Sequence, residues 1–115
     1  TIEDCSAEDG GGIYVHTGGV VTLTGDSRIA RCAAALYGGG VSGDSASAIA
    51  LNGNATIEDC SAQKDGGGIS VYSGSSVTLT DDARITQCAA ADNGGGIFGH
   101  EASAIALQGN ATIED

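Results

Sequence analysis

Three consecutive glycines occur four times in this chain, always at the same interval. The runs start at Gly10, Gly38, Gly66 and Gly94, and the differences 38−10, 66−38 and 94−66 are each 28. A fixed period of this length is the signature of a stacked repeat, in which one unit cannot bury its own apolar face but neighbouring units can. Every other reading has to fit inside that constraint.

Aligned on the glycines, the chain divides into coils 10–37, 38–65, 66–93 and 94–115. Residues 1–9 read as the tail of a preceding coil, one residue shorter than its counterpart. Apolar residues then fall in columns: Ile13, Val41, Ile69 and Ile97; Val21, Ile49, Val77 and Ile105; Leu23, Leu51, Leu79 and Leu107; Ile2, Ile29, Ile57, Ile85 and Ile113. Each coil carries three short apolar segments, "GIYV", "VVTL" and "RIARC" in the first. Alternation inside them has period two, with Ile13 and Val15 inward and Tyr14 outward, and with Val21 and Leu23 inward and Thr22 outward. Segments this short, separated by Gly, Asn and Asp, leave no room for helices. The expected fold is all-β: a parallel β-helix, or β-solenoid, with three short strands per coil, 28 residues per coil and four coils, forming one segment over 1–115. Equivalent strands should stack ~4.8 Å apart.

This architecture gives the glycines a purpose. Gly10, Gly11 and Gly12, with Gly38, Gly39 and Gly40, Gly66, Gly67 and Gly68, and Gly94, Gly95 and Gly96, form the corner before the first strand of each coil. That corner must turn sharply, and a Cβ there would collide with the coil above. A phosphate-cradling loop is the alternative, but no helical pattern or Lys follows any of the runs.

Composition agrees with a thin interior of small aliphatics. There are 20 glycines, 3% aromatic residues, and no Met, Pro or Trp. With repeat edges that fall mid-unit, the sequence reads as a window of a longer periodic protein. The net charge of −11, from 15 acidic and 4 basic residues, argues against nucleic acid and anionic membrane surfaces as partners. No apolar run approaches ~20 residues, so membrane insertion is not expected.

A second rhythm doubles the unit. The first and third coils share "VTLT" and an Arg-Ile pair, while the second and fourth share "SAIAL" and "GNATIED". Unlike groups are thereby stacked on one another. Arg31 falls in the column of Asp4 and Asp59, where it relieves like-charge stacking and sets register.

Few residues invite chemistry. Cys5, Cys32, Cys60 and Cys88 form one column, close enough for disulfides between coils, but a ladder of buried free thiols is the favoured reading. A metal centre is not expected, since a linear ladder without CxxC pairs is not tetrahedral. His16 and His100 share a column three coils apart, ~14 Å by strand spacing, and read as surface residues. Asn54-Ala55-Thr56 and Asn110-Ala111-Thr112 are N-x-T sequons on a turn, so Asn54 and Asn110 are candidate glycan acceptors. Thr22 with Thr24 and Thr78 with Thr80 could seed an ice-binding array, but Ala50, Asn52, Ala106 and Gln108 interrupt it. An active site breaks a repeat locally, and no column is read as broken. No catalytic residue and no cofactor is expected.

The stretch "VTLTGDSRIARCAAALYGGGV" resembles the repeats of right-handed parallel β-helix surface proteins, notably the polymorphic outer membrane protein passengers and the wider pectin-lyase-like group. Such repeats pair a glycine-rich segment, here Gly38-Gly39-Gly40-Val41, with a second segment, here Ile29 to Ala34. Cys32 stands where that family usually has Asn, and its Phe-x-x-Asn element is absent. The resemblance implies a right-handed coil and an extracellular or cell-surface adhesin or structural shaft. The expected function is a non-catalytic segment of a fibre, filament or adhesin stalk. Expected partners are other copies, by end-to-end coil stacking or lateral assembly, and cell-surface or matrix glycans. The alternatives are the scaffold of a carbohydrate-binding or carbohydrate-active β-helix protein and, below it, an ice-binding solenoid.

Overall fold

The computed structural model describes residues 1–101 and 103–114. Those residues contain no helix, and their strands form four sheets, every pairing parallel. Each coil visits the four sheets in turn. The first sheet holds Ile13–Val15, Val41–Gly43, Ile69–Val71 and Ile97–Gly99. The second holds Val20–Leu23, Ala48–Leu51, Ser76–Leu79 and Ala104–Leu107. The third holds Ile2–Glu3, Arg28–Ala30, Thr56–Glu58, Arg84–Thr86 and Thr112–Glu114. The fourth holds Ser6–Asp9, Ala33–Tyr37, Ser61–Ala62 and Ala89–Ala90.

Strand partners are the residues one repeat away. Ile69 pairs with Val41 and Ile97, Val77 with Ile49 and Ile105, and Ile57 with Ile29 and Ile85. The chain is therefore a parallel β-solenoid of four turns with the expected columns as its rungs. Its dimensions are 29 × 27 × 20 Å. The shortest matches four rungs at ~4.8 Å, so the segment is wider than it is tall.

Each coil has four strands, one more than expected. The segment "RIARC" contains a corner instead of a single strand. Arg31 lies in the left-handed region with φ 53°, as do its equivalents Asp4, Asp59 and Gln87 at 57°, 53° and 54°. That conformation costs a residue with a Cβ roughly 1–2 kcal/mol. It is held because the amides stay paired between coils: the Arg31 N–H donates to the Glu58 carbonyl and the Asp59 N–H to that of Thr86, both at 3.1 Å. The short tail is absorbed in the fourth sheet, where the register slips between Ala7 and Asp9 and sets Asp9 opposite Tyr37.

The core is the stack of inward rungs. Ile57, Ile69, Leu51, Leu79 and Ile85 are fully buried at 0% exposure, each contributing about 1.5–3 kcal/mol by leaving water. Burial comes from the neighbouring coil, not from the coil itself. Val77 and Leu79 are 1% and 0% exposed, while Ile105 and Leu107 directly above them are 42% and 46% exposed because no described coil covers them.

The glycine corner works as the sequence predicts. Gly38 and Gly66 both have φ 67°. A Cβ on Gly40 would stand 2.7 Å from the carbonyl oxygen of Gly68 in the next coil and 2.7 Å from Ile57 Cγ2. The corner also has a direction. A Cβ on Gly38 would meet Ser42 Cβ at 2.8 Å, and one on Gly66 would meet Ser70 Cβ at 2.7 Å. The chain entering the corner thus lies against the outward side of the first sheet. Ser42 and Ser70 point away from the core yet are only 2% and 0% exposed. The outer faces of the fourth and first sheets meet in an inward fold.

A candidate binding groove at the glycine corner

A groove of about 330 Å³ lies in this fold, lined by Asp9, Tyr14, Tyr37, Ser42, Asp44, Tyr72, Ser73 and Glu101. Asp9 and Tyr37 come from the end of the fourth sheet, just before the glycines. Tyr14 and Ser42 are neighbouring outward rungs of the first sheet. Asp44, Tyr72, Ser73 and Glu101 follow that sheet at the turn into the second. The glycines bring these walls together by leaving no side chains between them.

The face is aromatic to a degree the composition hides. Tyr37 and Tyr72 meet edge to face with ring centroids 5.1 Å apart. Tyr72 continues to Phe98 at 6.0 Å and His100 at 6.1 Å, and Phe98 stacks on His100 at 5.9 Å. Tyr14 lies 6.0 Å from His16. All three tyrosines of the chain, its one phenylalanine and both histidines are gathered here.

The polar groups of the groove are incompletely paired. Asp9 Oδ1 and Tyr72 Oη of the lining, and Ser70 Oγ outside it, are buried without a hydrogen-bond partner of good geometry. Burial pushes the Asp9 carboxyl up from its ordinary range, Glu8 and Asp44 add to this by repulsion, and the Tyr37 backbone opposes it. Burial, with lesser help from Asp65, raises the Tyr72 phenol to about 12, against the pull of the nearby Ser70 hydroxyl. Burial likewise raises Tyr14, with Asp44 and Asp9 adding to it. No Lys or Arg lines the groove. Among the described residues, no three His, Cys, Asp or Glu side chains are placed to hold a metal ion.

The residues singled out from sequence lie mostly elsewhere. Cys5, Cys32, Cys60 and Cys88 stand in one column before the fourth sheet as free thiols, Cys5 exposed and the others buried. Each donates to the carbonyl two residues earlier, as Cys60 Sγ does to Glu58 at 3.3 Å. Burial raises the Cys32 thiol, while the contact between the Cys60 and Cys88 thiols raises the first and lowers the second. Asn54 and Asn110 are exposed on the turn between the second and third sheets. Their Nδ2 atoms donate to Asp26 and Asp82 of the adjacent coil at 3.1 and 3.2 Å. Arg31 binds Asp4 through Nε at 2.7 Å and Glu3 through Nη2 at 2.8 Å, whereas no ion pair joins it to Asp59. Hydrogen bonding to Arg31 lowers the Asp4 carboxyl below its ordinary range. Thr22 and Thr78 are separated by Ala50 in the second sheet, so the threonine array is interrupted on the folded face as in the sequence.

The groove itself corrects the expectation that no column is broken. The outward rungs of the first sheet read Tyr14, Ser42, Ser70, Phe98, and the next column reads His16, Asp44, Tyr72, His100. Neither follows the one-coil or the two-coil repeat. The shortened tail, the other departure from the period, falls on the groove wall at Asp9. These irregularities were the available signal. Compared with protein-family models, with curated proteins and with solved structures, the chain has no match, so its likeness to β-helix surface proteins rests on its own residues.

Proposed function

We propose that the chain is a non-catalytic structural segment of a larger fibre, filament or adhesin stalk, outside the cell or on its surface. The observation that carries this reading is the unbroken register of the inward rungs: Val77 pairs with Ile49 and Ile105, and Ile57 with Ile29 and Ile85, so each inward rung packs on the equivalent rung of a neighbouring coil and the ladders run along one axis. The role is mechanical: hydrogen bonds run along the stack axis, and a dry aliphatic core resists bending and proteolysis. Partners are then other copies joined end to end or side by side. Asn54 and Asn110 are candidate glycan acceptors in this setting, and an intact mass equal to the sequence mass would dismiss that part. The alternative, a carbohydrate-binding scaffold, has the tyrosine-lined groove in its favour.

Electron microscopy of the protein isolated from its source tests the structural reading. Unbranched rods or filaments with a ~4.8 Å axial repeat are expected. Isolated compact particles without that repeat would overturn it.

A further inference from the structure

The groove at the glycine corner has unmet chemistry that does not depend on whether the stack is a shaft. Three carboxylates, from Asp9, Asp44 and Glu101, and three tyrosine rings line one concave space with no basic side chain among them. Two of its polar atoms, Asp9 Oδ1 and Tyr72 Oη, are buried without a hydrogen bond of good geometry within the chain, although the Tyr37 backbone and the Ser70 hydroxyl stand near them. A buried polar atom gains from a partner, which water or a ligand group can supply.

The lining discriminates among ligand classes. An anion, including a uronic-acid or sulfated glycan, would meet three carboxylates and no compensating charge. A bare metal ion needs convergent ligands, and the described residues offer no such triad. A neutral apolar molecule would leave Asp9 buried and unpaired. An organic cation suits every feature: its diffuse charge faces the tyrosine rings, its charge balances the carboxylates, and its N–H or polarised C–H groups reach Asp9 Oδ1. The space of about 330 Å³ is at the small end of ligand pockets. We propose that this groove is a binding site for an organic ammonium group, supplied either by a lysine side chain of a partner protein or by a free amine.

The chain carries its own reporter. It has no Trp, and all three of its tyrosines line the groove, so intrinsic tyrosine fluorescence reads this site alone. His16 Nε2 stands 3.9 Å from Asp44 Oδ2, so every titration is run at one fixed pH. The probes, at constant ionic strength, are tetramethylammonium chloride and an N-acetyl-lysine amide, with sodium chloride, neopentyl alcohol and a neutral disaccharide as controls. A saturable change with either ammonium probe and none with the controls is the expected result. Tighter binding of the lysine amide points to a protein partner, and tighter binding of the quaternary ion points to a free amine.

Asp44→Asn keeps the acceptor used by the Ser45 N–H and removes one charge. Tyr14→Ala removes a ring that is 48% exposed and outside the core. Each should weaken binding roughly 3- to 30-fold, with unchanged far-UV circular dichroism. If one variant fails to fold, the other still tests the site. No saturable change with either ammonium probe would refute the proposal. So would an equal response to neopentyl alcohol. A response to the disaccharide alone would also refute it and would assign the groove to neutral glycans. Full-strength ammonium binding by both folded variants would move the site elsewhere.

Discussion

The first and second sheets are built on the same ladder yet present opposite outer faces. Outward from the second sheet stand Val20 and Thr22, Ala48 and Ala50, then Ser76 and Thr78. These are small or β-branched residues, of which Thr22 recurs as Thr78 two coils on, and they leave a plain surface. Outward from the first sheet stand Tyr14, Ser42, Ser70 and Phe98, which follow no repeat. The second sheet is flanked by turns that point into solvent. The first is flanked by the glycine corner, which folds the preceding chain over it. A repeat can therefore keep one scaffold through every coil and vary only the face on which the backbone makes a concave angle.

The sharpest way to break this contrast is at the corner itself. Gly39→Ala should destabilise by more than about 3 kcal/mol, because its Cβ would fall within 3.0 Å of backbone atoms of both Ser61 and Gly67. Gly18→Ala, on the turn into the second sheet, meets no atom within 4 Å and bears only the strain of φ 73°. Its cost should be about 1 kcal/mol. Urea unfolding of the two variants measures the difference, and equal losses would mean that the corner is not close-packed.

Next come the outward rungs. Ser70→Leu should cost about 1–3 kcal/mol by overpacking against Gly66. Thr78→Leu, on the outward face of the second sheet, should change stability by less than about 0.5 kcal/mol. Similar values for both would remove the distinction between the faces.

Titration sharpens the comparison in the alkaline range. The Tyr72 phenol is raised to about 12 in the folded state from an unfolded value of 10.0. The folded state thus favours the neutral phenol. Its contribution is fully present below pH 10 and is lost as pH rises from there through the folded value. Wild type should lose stability across that window, and Tyr72→Phe should lose less. Asp9 has the same sign at the acid end. Its raised carboxyl means that ionised Asp9 opposes folding, so Asp9→Asn should raise the melting temperature at neutral pH while weakening ammonium binding. A lower melting temperature would mean that the carboxylate has a partner in the folded protein.

A small gain in stability is expected on the turn between the two faces. Ala46 has φ 62° where the equivalent positions carry Gly18 and Gly74. Ala46→Gly should stabilise by about 0.5–1 kcal/mol, read as a shift in the urea midpoint.

Much of the fold was legible because a solenoid writes its geometry into the period. Ile29, Ile57 and Ile85 recur every 28 residues because each is the strand partner of the last. The glycines recur because Gly40 and its equivalents face the backbone of the next coil. The corner at Arg31 was hidden, since no side chain there announces left-handed backbone: Asp4, Arg31, Asp59 and Gln87 share the conformation without sharing a chemistry. What holds it is a row of amide bonds between coils.

The sequence by itself determined a stacked parallel β-fold, the identity of its inward rungs and the need for glycine at one corner. These follow from local alternation and from a repeat that places like residues on top of one another. Only the tertiary structure decided which way that corner folds. Whether the outer faces of two sheets meet in a groove or splay apart depends on how the backbone turns between them. Tyr37 and Tyr72 are far apart in the chain and meet, with Tyr14 lining the same groove, only because the coils stack and the corner bends inward.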